Sequence, residues 1–522
     1  MHFLESGRTL QYAEIAGLVS RMRSELGKAG AGPGSVVGLL AVPGPGFLAA
    51  FFGALAVGAA VSVLPIHAGT SADTSVAHLH RIIAAAGIRY VAVSKPFEVV
   101  AGGLREREAG LRFFQCDDLE PRDGTISLLE SDPAATAIVQ FSSGTTGVPR
   151  GVELSHSAVL ANISAIVTSL EVNTSDYSQL SWVPLFHDLG LMSFLASIAG
   201  RGSLYRCEPM TFLRDPGKIS RWLSELRINY IGGPNFAYEY FVENLGGGSA
   251  RADLSNLHSA LNGGEFVRAE TLQRFADATA AYGAAPTVMR PAYGMAENCA
   301  GITLSPCGVE ARVDWFDREL LAAGKAHALG GATESARAIV SVGIPVPGTS
   351  VRIVDESRNA VLEHDQVGEI EFTGDSLMSG YLRDQQATVA AHRGGWFRTG
   401  DRGFVHEGHL FLCGRTKDMI TVRGRNFYAE DVEMVVTDAI GDVVPCVAFT
   451  DLYSDRERMI ILVEAAAEKE RLRRIEARLS GALGLTSFEV HGVRRGWIPR
   501  TTSGKARRAA ARDRFARRAE RD

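Results

Sequence analysis

The sequence predicts an α/β protein with two domains: a large N-terminal domain of layered α/β subdomains that includes a β subdomain, and a small α+β C-terminal domain. Short apolar runs alternate with helical patterns through roughly the first 300 of the 522 residues. From about residue 342, apolar and polar residues alternate between turn signals, which is typical of an antiparallel sheet. The sequence pattern changes again near residue 414. A chain of this length is also too long to fold around a single hydrophobic core, so more than one domain is expected.

Residues 36–64 show the α/β alternation most clearly. Apolar runs at 36–42 and 61–64 flank a helical pattern at 47–60, and the sequence Pro-Gly-Pro-Gly precedes the helix. Strands of a parallel sheet that is covered on both faces are continuously apolar, so these runs predict buried strands. Further strands are predicted at 90–93, 137–140, 178–183 and 230–232, and further helices at 155–169 and 215–226.

The C-terminal part begins at the sequence Gly-Arg-Thr-Lys-Asp, residues 414–418. Before it, alternating sequences that start near residues 351, 367, 403 and 409 predict the β subdomain. Beyond it, we predict strands at 419–422, 443–449 and 459–463 and helices from about Ala429 and over 469–483. We therefore predict an N-terminal domain of residues 1–414 and a C-terminal domain of residues 415–522.

Composition excludes several classes of function. The hydrophobic share of 46% and the net charge of −5 give no general case for binding nucleic acid. None of the six cysteines forms a Cys-x-x-Cys pair, which disfavours a zinc site and is consistent with the reducing cytosol, so we expect a cytoplasmic protein. The N-terminus lacks the pattern of a signal peptide, and prolines interrupt the apolar stretch at 36–66, so we expect no membrane span.

The most informative segment is Phe-Ser-Ser-Gly-Thr-Thr-Gly-Val-Pro-Arg-Gly at 141–151, directly after an apolar run. Glycines let the backbone approach a ligand, and flexible N–H groups together with hydroxyls can bind a polyphosphate. The segment is not a Walker A loop, because no Gly-Lys-Ser/Thr follows the glycines. On its own it fits a phosphate loop and a polar surface turn about equally well.

Four further segments carry chemistry that suits a nucleotide. Arg-Pro-Ala-Tyr-Gly-Met-Ala-Glu at 290–297 supplies an aromatic ring for a base and a carboxylate suited to Mg²⁺. The Asp that ends Trp-Phe-Arg-Thr-Gly-Asp at 396–401 can accept hydrogen bonds from ribose hydroxyls. A basic segment follows at 414–426, and Pro-Arg-Thr-Thr-Ser-Gly-Lys at 499–505 presents one lysine near the C-terminus. Each has an ordinary structural interpretation alone, but chance does not easily explain all of them in this order.

With these motifs the chain resembles the adenylate-forming superfamily of acyl- and aryl-CoA synthetases, peptide-synthetase adenylation domains and luciferases. The resemblance covers essentially the whole length and is greatest to the fatty acyl-AMP ligases. The segments that carry this finer resemblance are Ser-Trp-Val-Pro-Leu-Phe-His-Asp-Leu-Gly-Leu at 181–191, Gly-Gly-Pro-Asn-Phe-Ala-Tyr at 232–238 and Arg-Gly-Arg-Asn-Phe-Tyr-Ala-Glu-Asp-Val-Glu at 423–433. An extra segment at about 314–341 stands where those ligases carry an insertion that disfavours transfer to free coenzyme A.

The resemblance implies ATP and Mg²⁺ as cofactors and assigns roles to individual residues. The predicted nucleotide-binding residues are Ser142, Ser143, Gly144, Thr145, Thr146, Gly147, Arg150, Gly263, Gly264, Glu265, Tyr293, Gly294, Asp401 and Arg415. The first six would hold the β- and γ-phosphates, and Asp401 with Arg415 would bind the ribose. The predicted metal-side residues are Ser142 and Glu297, and the predicted substrate-pocket residues are Asn235, Phe236, Tyr238 and Met295. The predicted catalytic residues are Lys505 and His187, the latter bordering the acyl pocket, and Lys417 matches the hinge.

The implied reaction is the activation of a carboxylic acid, in particular a fatty acid, to acyl-AMP with release of pyrophosphate. The implied partner is an acyl carrier protein, whose phosphopantetheine thiol would take the acyl group after the small, mobile C-terminal domain rotates. An acyl- or aryl-CoA ligase that uses free coenzyme A is the alternative. An amino-acid activator is disfavoured, because the pocket segment reads Pro-Asn-Phe-Ala without the Asp that binds an α-amino group. A non-catalytic nucleotide-binding module is the alternative from another class.

Lys505→Ala tests the assignment of the catalytic lysine. The lysine ammonium is expected to screen the repulsion between the acid and the α-phosphate, so the variant should retain ATP binding and lose adenylate formation by several orders of magnitude. Carboxylate-dependent pyrophosphate exchange and ATP binding by calorimetry measure the two steps. Exchange at the wild-type rate would show that the assignment is wrong.

Overall fold

The computed structural model describes residues 1–66, 70–117, 119, 132–142, 150–172, 176–245, 252–333, 335–422, 425–440, 444–451, 458–465, 469–500 and 506–519. The architecture is mixed α/β, with parallel sheets first, an antiparallel sheet next and a smaller α+β part at the end. Within these ranges no helix is both long and apolar enough to cross a membrane.

The first sheet is parallel in its centre and antiparallel at one edge. Its central strands are buried and apolar because helices cover both faces, as the sequence predicted for this region. In spatial order the strands are Gly380–Tyr381, Arg150–Ser155, Thr136–Ser142, Ala60–Val63, Val36–Leu40, Tyr90–Val93 and Arg112–Gln115. The flanking helices are Tyr12–Lys28, Pro45–Ala56, Ala72–Ala86 and Glu98–Arg107.

The second sheet is also parallel in its centre, and its edges pair antiparallel. In spatial order its strands are Ile344–Pro345, Gly301–Leu304, Met289–Gly294, Ser259–Asn262, Tyr230–Gly233, Ser178–Ser181, Ser203–Arg206, His2–Phe3 and Arg8–Thr9. Its helices are His156–Ser169, Asp188–Ala199, Pro209–Arg214, Pro216–Glu225, Asn235–Glu243 and Ala269–Ala280. The helix His156–Ser169 packs against Asp188–Ala199 and also contacts the first sheet, so it lies between the two sheets.

An antiparallel sheet follows, in the region where alternating sequences predicted one. Its strands in spatial order are Ala360–Val361, Thr349–Asp355, Gly368–Gly374, Trp396–His406 and His392–Arg393, and His409–Arg415 pairs with Trp396–His406. The helix Gln385–Ala391 precedes the short strand His392–Arg393.

The extra segment predicted at 314–341 folds as a small unit. The strand Val313–Asp317 pairs with Ala328–Leu329 and Ala336–Val340, and the helix Arg318–Ala322 follows the first strand. Phe316 is fully buried, and its ring lies 4.8 Å from the Phe404 ring and 5.4 Å from the Phe411 ring. The segment is therefore packed onto the antiparallel sheet through an aromatic cluster.

The C-terminal part has a hydrophobic core of its own. A hairpin of Met419–Val422 and Arg425–Tyr428 leads into the helix Ala429–Ile440. The strand Met459–Val463 pairs antiparallel with Cys446–Thr450 and parallel with Phe488–Gly492. The helices Lys469–Leu483 and Arg508–Ala519 complete it.

Several predicted elements match the structure to the residue, namely Tyr90–Val93, Met419–Val422, Met459–Val463 and Lys469–Leu483. The helix predicted at 47–60 instead runs from Pro45 to Ala56. It begins earlier because proline fits the first turn of a helix, where its missing N–H costs nothing. It ends earlier because Gly58 adopts a positive φ of 83°.

A buried ion pair joins the extra segment to the helix Ala429–Ile440. Nε of Arg337 lies 2.6 Å from Oδ1 of Asp431, and these side chains are only 1% and 9% exposed. The Arg337 guanidinium also donates a hydrogen bond of 3.0 Å to the Cys413 carbonyl and lies 5.3 Å from the Tyr428 ring centre. Burial acts to lower the pKa of Arg337, but Asp431 and the other acidic groups around it together outweigh burial, and the pKa is raised.

Arg337→Ala should lower the free energy of unfolding by about 3–5 kcal/mol, because it leaves the Asp431 carboxylate buried without its partner. Urea denaturation measures the change. The control is Arg21→Ala, which removes an exposed i,i+4 pair with Glu25 and should cost about 0.5 kcal/mol or less. Equal losses in the two variants would contradict a special role for the buried pair.

Candidate active site

Some of the predicted nucleotide-binding residues lie at the carboxyl edge of the second sheet. Asn262 and Gly294 end neighbouring strands, and Gly263 and Gly264 follow the first of these directly. Ligands of open α/β sheets bind at this edge, because the loops that follow parallel strands meet there.

Asp401 links this edge to the antiparallel sheet. Its buried carboxylate accepts a 2.7 Å hydrogen bond from the Tyr293 hydroxyl and a 2.8 Å hydrogen bond from Nε of Arg415. Asp401 and Arg415 face each other on paired strands, and the Arg415 side chain is 45% exposed. The structure therefore brings together three residues that were predicted from separate motifs.

Charge and burial act together in this trio. Burial raises the pKa of the Tyr293 hydroxyl well above its ordinary value, and the negative charge of Asp401 raises it further. The same carboxylate raises the pKa of Arg415. The Tyr293 phenol therefore stays neutral and can donate a hydrogen bond. One side of the Arg415 side chain faces solvent.

Two glycines shape the turns beside the trio. Gly264 has a φ of 83°, which side-chain-bearing residues rarely adopt. A Cβ on Gly294 would lie 1.7 Å from the Ala300 carbonyl oxygen, so only glycine fits there. Directly after Gly264, the Glu265 carboxylate accepts a 2.6 Å hydrogen bond from the Phe236 backbone N–H. This bond connects the Glu265 loop to the helix Asn235–Glu243. Gly264, Glu265 and Gly294 all belong to the predicted nucleotide-binding residues, and that role stays a prediction.

Glu297, the predicted metal-side carboxylate, lies in a short turn after the strand Met289–Gly294. Its Oε1 accepts a 2.9 Å hydrogen bond from the Tyr381 hydroxyl, and the Arg150 guanidinium lies 5.4 Å from the centre of the Tyr381 ring. Burial raises the pKa of the Glu297 carboxyl. A cation beside this group would favour its ionised form.

The donor set fits Mg²⁺ on chemical grounds. When ionised, the Glu297 carboxylate offers hard oxygen atoms. Mg²⁺ is commonly bound by one or two carboxylates together with substrate phosphates, and the described part of the chain offers no group of three or more His, Cys, Asp or Glu that could hold a metal.

The predicted phosphate loop lies between two paired strands. Ser142 pairs with Arg150 at the ends of Thr136–Ser142 and Arg150–Ser155. Ser143, Gly144, Thr145, Thr146 and Gly147 and the Ser142 side chain lie outside the described residues, as does Lys505.

A cavity that Tyr293 lines opens next to the trio. Gly263, Gly264, Tyr293 and Gly294 line it at the carboxyl edge of the sheet. The other walls are mostly apolar, formed among others by Ile166, Leu170, Leu189, Met192, Leu261 and Leu304. The predicted His187 precedes Asp188 and Leu189, which line the cavity, and its backbone N–H donates to the Pro184 carbonyl.

The predicted substrate-pocket residues lie elsewhere. Asn235 belongs to a buried polar network and donates hydrogen bonds to Glu239 at 3.1 Å and Thr271 at 2.9 Å. Tyr238 lines a second, smaller cavity with Trp182 and Phe212. Neither Phe236 nor Met295 is part of the lining of the larger cavity. Asn235, Phe236 and Tyr238 lie on the helix Asn235–Glu243 and Met295 lies after the strand Met289–Gly294, and the role of all four in binding the acid stays a prediction.

The predicted hinge, Lys417, lies in the short turn Thr416–Asp418. Arg508, three residues after Lys505, contacts this turn through its guanidinium. Its guanidinium lies 2.7 Å from Asp418, donates a 2.8 Å hydrogen bond to Glu433 and lies 3.7 Å from Glu430. The helix Arg508–Ala519 is therefore anchored beside the turn that contains Lys417.

Sequence reasoning missed Tyr381 and Arg508. Tyr381 belongs to a two-residue strand without any periodic pattern, so no local signal marks it. Arg508 lies in a basic tail where it was one arginine among many. Both gain their significance from partners far away in the chain.

Comparison with known proteins decides the family. The family model described as AMP-binding enzyme matches residues 1–382. The chain belongs to the AMP-binding enzyme family. It is 32% identical over 409 residues to a 4-hydroxyphenylalkanoate adenylyltransferase of Mycobacterium tuberculosis, an alignment that covers 73% of this chain and 65% of that protein. It is 31% identical over 407 residues to the long-chain-fatty-acid–AMP ligase FadD26 of the same organism, with 73% and 69% covered.

Solved structures of AMP-binding enzymes agree with this assignment. A structure from studies of fatty acyl-adenylate ligases of E. coli and L. pneumophila superposes with a TM-score of 0.88 at 26% identity, covering 100% of this chain and 96% of that one. The α/β fold class with a large N-terminal and a smaller C-terminal domain is therefore confirmed. The protein is an adenylate-forming ligase, and AMP-binding enzymes use ATP. The roles of individual site residues stay predictions.

Glu430 should make the stability of this AMP-binding enzyme depend on pH. Burial raises the pKa of its carboxyl from 4.5 to about 7, although Arg508 opposes the shift, and Oε2 has no hydrogen-bond partner in the described structure. The folded state therefore holds a proton that the unfolded state releases near pH 4.5. As a result, the free energy of unfolding should fall as the pH rises from 4.5 to about 7.

Glu430→Gln removes the titrating group and should raise the free energy of unfolding by on the order of 2–3 kcal/mol above pH 7, with little change below pH 4.5. Denaturation at a series of pH values measures this difference. Glu476→Gln, at an exposed position of the helix Lys469–Leu483, is the control and should leave the pH profile unchanged. Parallel profiles for wild type and Glu430→Gln would contradict the prediction.

Proposed function

We propose that the protein activates a fatty-type carboxylic acid with ATP to acyl-AMP, releases pyrophosphate, and passes the acyl group to the phosphopantetheine thiol of an acyl carrier protein. The observation that carries the proposal is the trio of Tyr293, Asp401 and Arg415 at the mouth of the apolar cavity. A nucleotide site next to an apolar cavity suits a reaction that joins AMP to an acyl chain. The acyl-AMP ligase relatives support the same reaction.

In the first step a carboxylate oxygen attacks the α-phosphorus of ATP, and the bond to the pyrophosphate breaks. Asp401 would accept hydrogen bonds from the ribose hydroxyls, and the loop at 142–147 with Arg150 would hold the departing pyrophosphate. Lys505 would lie between the two anions and stabilise the spreading charge. When bound beside Glu297, Mg²⁺ would supply positive charge for the pyrophosphate. His187 would border the acid.

In the second step the thiol attacks the acyl carbonyl and AMP leaves. We propose that residues 1–414 and 415–522 form the two domains, and that the second rotates about Lys417 to replace the lysine by the thiol. The position of Lys417 in the turn Thr416–Asp418, directly after the last strand of the antiparallel sheet, supports a hinge there. The thiol would enter past the segment at 423–426.

The proposed acceptor is a carrier protein and not free coenzyme A. Support comes from the extra segment, which contacts the C-terminal part through the buried pair of Arg337 and Asp431. This segment stands where the fatty acyl-AMP ligases carry an insertion that disfavours transfer to free coenzyme A. An acyl- or aryl-CoA ligase is the second candidate, because it would share the nucleotide site and the apolar cavity.

The test supplies the purified protein with ATP, Mg²⁺ and a panel of aliphatic and aromatic carboxylic acids, and measures pyrophosphate release and hydroxamate formation. Acids that are activated are then offered free coenzyme A or a phosphopantetheinylated carrier protein. We expect acid-dependent pyrophosphate release and transfer only to the carrier. Abundant acyl-CoA would favour the second candidate, and no acid-dependent release would exclude both.

A further inference from the structure

The larger cavity runs along one face of the second sheet. Gly263 and Gly264 line it at the carboxyl end of the strand Ser259–Asn262, and Ser259 lines it at the amino end. Four residue steps of a strand separate Ser259 from Gly263, which corresponds to about 13 Å. The cavity therefore has a mouth at the nucleotide side and a far end beneath the amino ends of the parallel strands.

The far end is polar, although the walls are apolar. Tyr230 pairs with Gln179 on one side and with Ser259 on the other, so these three residues form a row across three adjacent strands. We call Gln179, Tyr230 and Ser259 the polar row. All three line the cavity, and Gln179 and Ser259 are only 6% and 1% exposed.

The polar row contains hydrogen-bonding groups that lack partners. Oε1 of Gln179 accepts hydrogen bonds from the hydroxyls of Tyr177, at 2.6 Å, and Ser197. Nε2 of Gln179 donates to no acceptor among the described residues, and Oγ of Ser259 has no partner there. The Tyr230 hydroxyl, by contrast, donates to the Leu170 carbonyl at 3.2 Å.

This arrangement fixes the orientation of the Gln179 amide. The Tyr177 hydroxyl donates to its oxygen, so the NH₂ group is the part left for the cavity. A purely aliphatic acyl chain that filled the cavity would displace water and leave this donor buried without a partner, which is unfavourable. A hydroxyl or carbonyl oxygen at the same place would accept its hydrogen bond.

We propose that the preferred acid carries a hydroxyl or carbonyl oxygen at the end remote from its carboxylate, and that Nε2 of Gln179, with Oγ of Ser259, recognises that oxygen. The inference rests on the proposed function, because it assumes that the carboxylate lies at the nucleotide end of the cavity. A site that hydrogen-bonds a substrate group discriminates strongly against analogues without it, whereas an apolar pocket discriminates weakly between similar chains.

The experiment compares ω-hydroxy acids with methyl-terminated acids of the same number of non-hydrogen atoms, over chain lengths from octanoate to dodecanoate. The measured quantity is kcat/KM for pyrophosphate release with ATP and Mg²⁺. At the best length we expect the hydroxy acid to exceed its methyl counterpart by about tenfold to a hundredfold. Equal or higher activity with the methyl-terminated acid at every length would overturn the inference and leave the proposed function intact.

Gln179→Met assigns the preference to one side chain, because methionine has a similar size and no donor. The ratio of the two kcat/KM values should fall to about one or below, with activity on the methyl-terminated acid retained. Both acids are measured on the same preparation, so partial unfolding does not affect the ratio. An unchanged ratio in Gln179→Met would overturn the assignment.

Tyr230→Phe is the matched control. It removes a hydroxyl from the same row, but that hydroxyl is already bonded to the Leu170 carbonyl, so the ratio should stay at the wild-type value. A ratio that collapses in Tyr230→Phe and not in Gln179→Met would also contradict the proposal. If no acid supports pyrophosphate release in the wild type, the proposed function fails and the inference falls with it.

Discussion

The arrangement of the candidate site depends on a single buried carboxylate. A carboxylate removed from water is stable only when it is paired and hydrogen-bonded, and Asp401 meets this condition with the Tyr293 hydroxyl and the Arg415 guanidinium. Tyr293 belongs to a strand of the second sheet, Asp401 belongs to the antiparallel sheet, and Arg415 is the last residue before the turn that contains Lys417. The requirement to pair one charge therefore fixes three parts of the chain relative to one another.

The same principle governs the contacts of the C-terminal part. Arg337 pairs with Asp431 in a buried position, and Arg508 lies between Asp418, Glu430 and Glu433. Ion pairs of this kind contribute little net stability compared with apolar packing. Removing one partner is nevertheless strongly destabilising, because the other charge stays buried without its partner. They specify which arrangement of the extra segment, the turn at 416–418 and the last helix is stable.

The cavity separates two tasks along one sheet face. Its mouth is formed by glycines and by Tyr293, and this end suits a nucleotide because backbone can approach closely there. Its far end carries the polar row, which suits recognition of the acid. In the proposed function, the loops after the strands carry the chemistry and side chains within the strands select the acid, which agrees with the general placement of function on α/β folds.

The sequence alone determined the fold class, the family and the order of the motifs. Strands such as Tyr90–Val93 and Met459–Val463 were predicted to the residue because continuous apolar runs of strand length are a local signal. The trio was found residue by residue because each member lies in its own motif. The tertiary structure alone decided that Tyr381 contacts Glu297, that Asn235 and Tyr238 do not line the larger cavity, and that Gln179, Tyr230 and Ser259 form one row across three strands. These facts depend on strand register and on helix orientation, which are set by contacts between residues far apart in the chain and leave no pattern in any one segment.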